Sequence, residues 1–185
     1  MPGKARITPC LWFDSEAEEA AKYYVGIFKN SKIKDIGRYG EAGKEIHGRP
    51  AGSVMIVEFD LDGQTFTALN GGPLFKFTEA ISLQVRCKDQ AEVDYYWNKL
   101  TAGGDPKAQV CGWLKDRFGL SWQIVPDAIP KLLGDQKSAA SQRAMTEMLK
   151  QKKPDIAALQ RAYDGKSEDA KPSASRKRPE SRTPA

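Results

Sequence analysis

The chain carries the same plan twice. A short apolar run, Leu11-Trp12-Phe13, precedes a helix-like stretch over residues 15–28, and Leu83-Gln84-Val85 precedes another over 89–100. A shift of 72 residues lays Leu11 on Leu83, Phe13 on Val85, Ala21 on Val93, Tyr24 on Tyr96 and Phe28 on Leu100. Each half closes on a similar strand, residues 63–69 and 119–125. A duplicated strand–helix–strands unit predicts a pseudo-symmetric α+β fold with a cleft, whose walls are read from one copy and checked against the other.

Local signals place the elements. Ser15-Glu16-Ala17-Glu18 reads as a capping box, and Ala17, Ala21, Tyr24 and Phe28 make one apolar stripe. The second helix starts at Asp89 with Glu92 three residues on. Val93, Tyr96 or Trp97, and Leu100 face inward, and Gly103-Gly104 ends it. Asp62-Gly63 joins the strands 53–59 and 65–70 as a hairpin, and 115–119 joins 109–114 to 120–125. Residues 32–39 form a further strand. The glycine-rich stretch 40–52 reads as a mobile loop, and Gly71-Gly72-Pro73 separates the halves. Beyond Pro126, helices are expected over 129–133, 139–151 (Met145, Met148, Leu149) and 155–163 (Ile156, Leu159, Tyr163), covering one end of the sheet.

Strand alternation sorts the side chains. Pro9, Leu11 and Phe13, like Ile81, Leu83 and Val85, should face the helices, as should Phe66, Ala68, Trp122 and Ile124. Thr8, Cys10 and Trp12, with Ala80, Ser82 and Gln84, fall on the opposite face. So do Thr65, Thr67, Leu69, Ser121, Gln123 and Val125. On a flat two-layer sheet that face is solvated. On a sheet curled into a cup it becomes a pocket for a small organic ligand. The candidate pocket residues are Thr8, Cys10, Trp12, Thr67, Ser82, Gln84 and Gln123.

Bulk properties narrow the class. No apolar run approaches the ~18–20 residues that span a bilayer, and no secretory pattern is seen, so the expectation is a soluble, cytoplasmic protein without membrane contact. The three cysteines, Cys10, Cys87 and Cys111, are odd in number and lack CxxC spacing, which favours small core residues over a disulfide or zinc framework. The single histidine, His47, lies in the glycine-rich loop and reads as solvated. Net charge is +5, but residues 166–185 hold six basic against three acidic side chains. That Ser/Pro/Lys/Arg-rich tail reads as disordered, and nucleic-acid binding would rest on it alone.

The run Ile7-Thr8-Pro9-Cys10-Leu11-Trp12-Phe13, with Ala17-Glu18-Glu19-Ala20 and Tyr23-Tyr24, resembles the PhnB-like members of the vicinal oxygen chelate superfamily. So do Phe66-Thr67-Ala68-Leu69-Asn70-Gly71-Gly72-Pro73, Tyr95-Tyr96-Trp97-Asn98-Lys99-Leu100 and Cys111-Gly112-Trp113-Leu114-Lys115-Asp116-Arg117-Phe118-Gly119-Leu120-Ser121-Trp122-Gln123. This subgroup carries the label 3-demethylubiquinone-9 3-methyltransferase-like. The likeness extends over about residues 4–163. It implies two βαβββ modules (about 6–72 and 78–126) forming a cup-shaped mixed sheet with helices outside, followed by C-terminal helices (about 128–164). It also implies a homodimer, and a single domain over 4–165 with 166–185 as tail. Superfamily relatives include glyoxalase, extradiol dioxygenases, and bleomycin- and fosfomycin-resistance proteins.

The superfamily's enzymes hold a divalent metal with His, Glu or Gln side chains from the first and closing strands of each module. Strand matching carries those positions to Thr8, Thr67, Ala80 and Gln123. Only Gln123 is a ligand type, and it is neutral, whereas such cations want carboxylate or imidazole donors. No metal or other cofactor is therefore expected. The leading expectation is metal-free binding of a small aromatic or amphipathic molecule. Trp12 would stack on it, and Thr67, Ser82, Gln84 and Gln123 would orient it. The family label implies instead a methyltransferase acting on a quinol-like ring, although no S-adenosylmethionine motif is seen. A third reading is a cofactor-independent lyase or isomerase using Cys10, His47 or a carboxylate. In that reading Asp116-Arg117 fits a hairpin turn better than a catalytic pair.

Overall fold

The structure is a computed structural model and describes residues 6–166. The basic tail lies, apart from Lys166, outside the described residues. The first half runs β1 (Cys10–Phe13), α1 (Ala17–Val25), β2 (Lys32–Arg38), α2 (Lys44–His47), β3 (Val54–Leu61) and β4 (Gln64–Asn70). Its sheet has the order β1-β4-β3-β2, with β1 parallel to β4 and the other pairs antiparallel. The second half runs β5 (Ser82–Cys87), α3 (Gln90–Thr101), a 3-10 turn (Pro106–Ala108), β6 (Trp113–Lys115) and β7 (Ser121–Pro126). Here the order is β5-β7-β6, with β5 parallel to β7 and β6 antiparallel to it. Helices α4 (Ile129–Leu133), α5 (Ala139–Met148) and α6 (Ile156–Tyr163) follow. No helix among the described residues is long and apolar enough to cross a membrane. The architecture is α+β, one plan used twice.

Hydrogen bonding sets the register of the repeat. Cys10 pairs with Thr67, and Gln84 with Gln123. Thr67 and Gln123 stand equally far beyond the turn glycines Gly63 and Gly119, so Cys10 matches Gln84. The copies are thus offset two residues further than side-chain similarity suggests. An even slip leaves every side chain on its own face. Leu11, Phe13, Val85 and Cys87 are accordingly buried, but Ile81 falls ahead of β5 and is 73% exposed.

Both sheets turn their apolar faces to one shared core. Leu11, Phe13, Val57, Phe59, Phe66 and Ala68 of the first sheet, and Val85, Leu114, Trp122 and Ile124 of the second, form a single cluster with α1 and α3. Buried Ala17, Ala20 and Ala21 give α1 a flat face for close approach, and Tyr24 reaches across to Trp122, ring centroids 5.4 Å apart. A smaller cluster of Leu132, Leu133, Ala144, Met148 and Leu159 holds α4–α6 together, with Cys111 packed against it. Leu149, expected in that stripe, follows the last turn of α5 and is 65% exposed.

Three local expectations change in three dimensions. The start of α1 has no side-chain cap from its own segment. Instead the Ala17 amide donates to Oδ1 of buried Asn70, 53 residues away (2.8 Å). In the second half, residues 109–114 do not make a full strand. Asp105 caps the 3-10 turn at Pro106, then Cys111 (φ 49°) and Gly112 (φ 85°) turn the chain between Val110 and Trp113. The amides of Cys111 and Gly112 donate to the carbonyls of Gln151 and Lys152, each 2.8 Å, so the α5–α6 connection is tied to this turn. The 40–52 stretch, expected as loop, carries the one-turn helix α2, and its Arg49 pairs with Asp14 (2.8 Å).

Hairpin β3–β4 turns at Asp62-Gly63 as expected, both residues at positive φ. Helix α3 is capped by Asp89, which accepts from the Glu92 amide, while Glu92 reaches back to the Lys88 amide.

Candidate functional site

The seven candidate positions fall into two groups, each on the face of its own sheet turned away from the shared core. On the first sheet are Thr8 and Cys10, both exposed, and the half-buried Trp12 and Thr67. Cys10 lies opposite Thr67 across the β1–β4 ladder, and the Thr67 hydroxyl leans to the Pro9 carbonyl (3.4 Å). On the second sheet, Gln84 Nε2 donates to Gln123 Oε1 (3.2 Å), and Gln123 Nε2 donates to Ser82 Oγ (2.7 Å). These three form a continuous polar row. No hydrogen bond joins the two groups among the described residues.

Trp12 is held in one pose. Its indole N–H donates to the Gly72 carbonyl (2.8 Å), and Phe75 meets it edge-on at 4.9 Å. A Cβ on Gly71 would lie 2.2 Å from the indole ring, so only glycine fits beneath it. Substituting Gly71→Ala should push the indole out of its pocket. The expected result is a red-shifted, weakened tryptophan emission with secondary structure retained, checked by fluorescence beside circular dichroism. Trp12, Phe13, Phe75, Phe77 and Phe118 line a cavity of about 420 Å³ at this end of β1. A second cavity, about 600 Å³, lies along β5 and is lined by Pro9, Phe28, Ser82, Gln84, Tyr96 and Trp122. The two correspond under the repeat. Each sets the first strand of one half against the hairpin turn of the other.

The cysteines part company. Cys10 is exposed at the start of an edge strand, contrary to a core role. Cys87 is buried, and burial pushes its thiol up to about 12, which leaves it unreactive at neutral pH. Cys111 is partly buried in its turn. His47 is half-buried, with contacts on both sides of its ring. Its Nδ1 accepts from the Arg49 amide (3.0 Å), its Nε2 meets the Ala42 carbonyl (3.3 Å), and its ring packs on Tyr39.

Sequence reading missed Asp116. It is 2% exposed, and its carboxylate accepts from Tyr24 Oη (2.7 Å), Trp122 Nε1 (2.8 Å) and the amides of Phe118 (2.9 Å) and Leu120 (3.1 Å). Burial raises its pKa above the ordinary carboxylate value, against the pull of those four donors. Burial and the neighbouring Asp116 likewise raise the Tyr24 phenol well above its usual value. Beside it, Arg117 pairs with Glu19 and lies over the Tyr23 ring. Asp116 therefore ties α1 to the second sheet. Ser121, expected on the open face, is 1% exposed, and its Oγ has no hydrogen-bond partner among the described residues.

A divalent metal does not fit these residues. Thr8, Thr67 and Ala80 offer hydroxyls and a methyl, and Gln123 is already committed to Ser82 and Gln84. Among the described residues no three His, Cys, Asp or Glu side chains gather as a metal site.

Fold and face together describe a PhnB-like protein of the vicinal oxygen chelate superfamily, and comparison with known proteins bears this out. Residues 5–125 match the family model described as 3-demethylubiquinone-9 3-methyltransferase, and the chain belongs to that family. The match ends at residue 125, so α4–α6 lie outside it, whereas the resemblance read from the sequence extends to 163. Among solved structures, the PhnB protein from Bacillus cereus is 34% identical with a TM-score of 0.56, covering 66% of this chain and 99% of its own. A protein from Staphylococcus aureus is 30% identical over 66% of this chain and 97% of its own, with a TM-score of 0.29. Protein PA1353 from Pseudomonas aeruginosa is 19% identical with a TM-score of 0.50, covering 67% and 100%. No functionally curated protein matches the chain.

Proposed function

We propose that this protein binds a small aromatic or amphipathic molecule without a metal, in a pocket completed by two copies of the chain in the cytoplasm. The observation that carries the reading is that the candidates form two groups on two sheets with no hydrogen bond between them among the described residues. Trp12, Thr67, Cys10 and Thr8 stand on one sheet, and Ser82, Gln84 and Gln123 on the other. Among the described residues the first strands β1 and β5 each have a single hydrogen-bonded neighbour, leaving an open edge. Open edges seek a partner strand. Setting β1 of one copy beside β5 of another would bring the indole and the amide row onto one concave face. Trp12 would then stack on a ring while the Ser82 hydroxyl and Gln84 amide fix its polar groups.

Titrating a panel of aromatic and amphipathic compounds while following tryptophan emission tests this. Saturable quenching is expected, largely removed by Trp12→Phe, with native mass spectrometry showing a dimer that carries the compound. A flat response across the panel together with a bare monomer would sink it.

The family's description favours a second reading, methyl transfer to a quinol-type ring. Among the described residues no strand passes through a glycine-rich turn into a helix, the arrangement that holds S-adenosylmethionine in doubly wound methyltransferases. Isothermal titration with S-adenosylmethionine separates the two readings, and measurable heat of binding would replace the first with the second.

A further inference from the structure

We propose that Lys115, Ser121 and Trp113 form an oxyanion subsite on the outer face of the second sheet, anchoring the carboxylate or phosphonate of a small planar ligand. The inference rests on the binding-face reading above and names the chemistry of one end of the ligand.

Three observations meet there. A cavity of about 440 Å³ is lined by Glu79, Lys107, Val110, Trp113, Lys115 and Ser121. Ser121 forms part of its wall, and its buried hydroxyl has no hydrogen-bond partner among the described residues. A buried hydroxyl left unpaired costs about 1–3 kcal/mol, so a serine of the cavity wall that lacks a partner gains by pairing with a ligand oxygen. Lys115 is the register partner of Ser121 across the β6–β7 ladder, which puts the two side chains on the same face of the sheet.

Lys115 already grips an anion. Its Nζ pairs with the Glu79 carboxylate at 2.6 Å, the lysine side chain being 25% exposed and the glutamate 65%. That hydrogen bond holds the Glu79 carboxyl below its ordinary value. Glu79 belongs to the connector between the halves, so a solvent-facing internal carboxylate occupies the position a ligand's would take. An exposed ion pair holds weakly and exchanges readily. Trp113, two residues before Lys115 on the same face, supplies a flat wall for the ligand's body, and Lys107 adds a second positive charge. Trp113 is in turn the register partner of Gln123, so this nook continues into the Gln84–Gln123–Ser82 row.

Benzoate, phenylphosphonate and neutral benzamide, each titrated into the full chain and followed by two-dimensional NMR, test the subsite. One or both anions should shift the Trp113 indole N–H saturably, and benzamide should not. Benzoate alone would assign a carboxylate, phenylphosphonate alone a phosphonate or phosphate. Lys115→Met should weaken anion binding about tenfold or more, and Ser121→Ala about threefold, matching loss of a charged and a neutral hydrogen bond. Glu79→Gln, on an exposed side chain, removes the internal competitor and should tighten anion binding several-fold. A purely structural ion pair predicts no tightening. If benzamide shifts Trp113 and the Gln123 amide as strongly as benzoate, or Glu79→Gln leaves the anion's affinity unchanged, the subsite is overturned while the binding face stands. If none of the three probes moves either signal, both are overturned.

Discussion

Replacing Asp116 with alanine should lower the unfolding free energy by about 3–5 kcal/mol, read as a fall in the urea midpoint with the m-value retained. The size follows from what is left behind. Tyr24 Oη, Trp122 Nε1 and the amides of Phe118 and Leu120 all lose their acceptor inside the core. Each stranded buried donor carries its own desolvation penalty. Tyr24→Phe removes only one donor and leaves the carboxylate three others, so it should cost about 1–2 kcal/mol. Because Tyr24 lies on α1 and Asp116 beyond β6, a double-mutant cycle between them measures directly how firmly the halves are docked. A coupling near zero would show that apolar packing alone holds them.

The same residue gives a pH dependence with a definite sign. Burial raises the folded-state pKa of Asp116 above its unfolded value, so the native state binds this proton more tightly. Its titration therefore favours folding fully below the unfolded pKa, and that contribution is lost as pH rises through the raised folded value. Asp116→Asn cannot titrate. The stability gap between wild type and this variant should narrow as pH climbs from below the carboxylate range to neutrality, and a widening gap would reverse the assignment.

The second large effect is expected at Asn70. Its Oδ1 caps α1 by accepting from the Ala17 amide, and its Nδ2 donates to the Val54 carbonyl (3.0 Å). One buried amide thus fixes the start of α1 against β3 and β4. Asn70→Ala should cost about 2–3 kcal/mol, the sum of a lost cap and a stranded buried group. Ser15→Ala should stay within about 0.5 kcal/mol, since Ser15 caps nothing. Equal losses at the two sites in thermal denaturation would restore the local capping box. Asn70 also adjoins Gly71 and Gly72, which seat Trp12, so the variant should disturb tryptophan emission as well.

Much of the candidate site was legible in the chain because strands alternate. Cys10 and Trp12 on one face of β1, and Leu11 and Phe13 on the other, follow from period two alone, as do Gln84 and Gln123 on the outer face of the second sheet. The hairpin at Asp62-Gly63 was legible because few residues take two consecutive positive φ angles cheaply. Ser121 was not legible. Its face was assigned correctly, yet it is 1% exposed, and strand alternation alone does not say how deeply a face is packed. Asp116 was read as a turn residue and does open the β6–β7 turn, its carbonyl accepting from the Gly119 amide; its burial against a tyrosine 92 positions away was not legible. The partners of His47 were not legible, because they are the backbone of a loop with no periodicity and the ring of Tyr39.

Local chemistry therefore settled the elements, their inner and outer faces and the duplicated α+β plan, all consequences of side-chain spacing and turn geometry acting over a few residues. Tertiary structure alone decided the register offset between the copies, the capping of α1 by Asn70, the buried Asp116 junction, and the separation of the seven candidate residues onto two outward faces. Those depend on which distant backbone and polar groups must satisfy one another once water is excluded, and no short stretch of sequence carries that information.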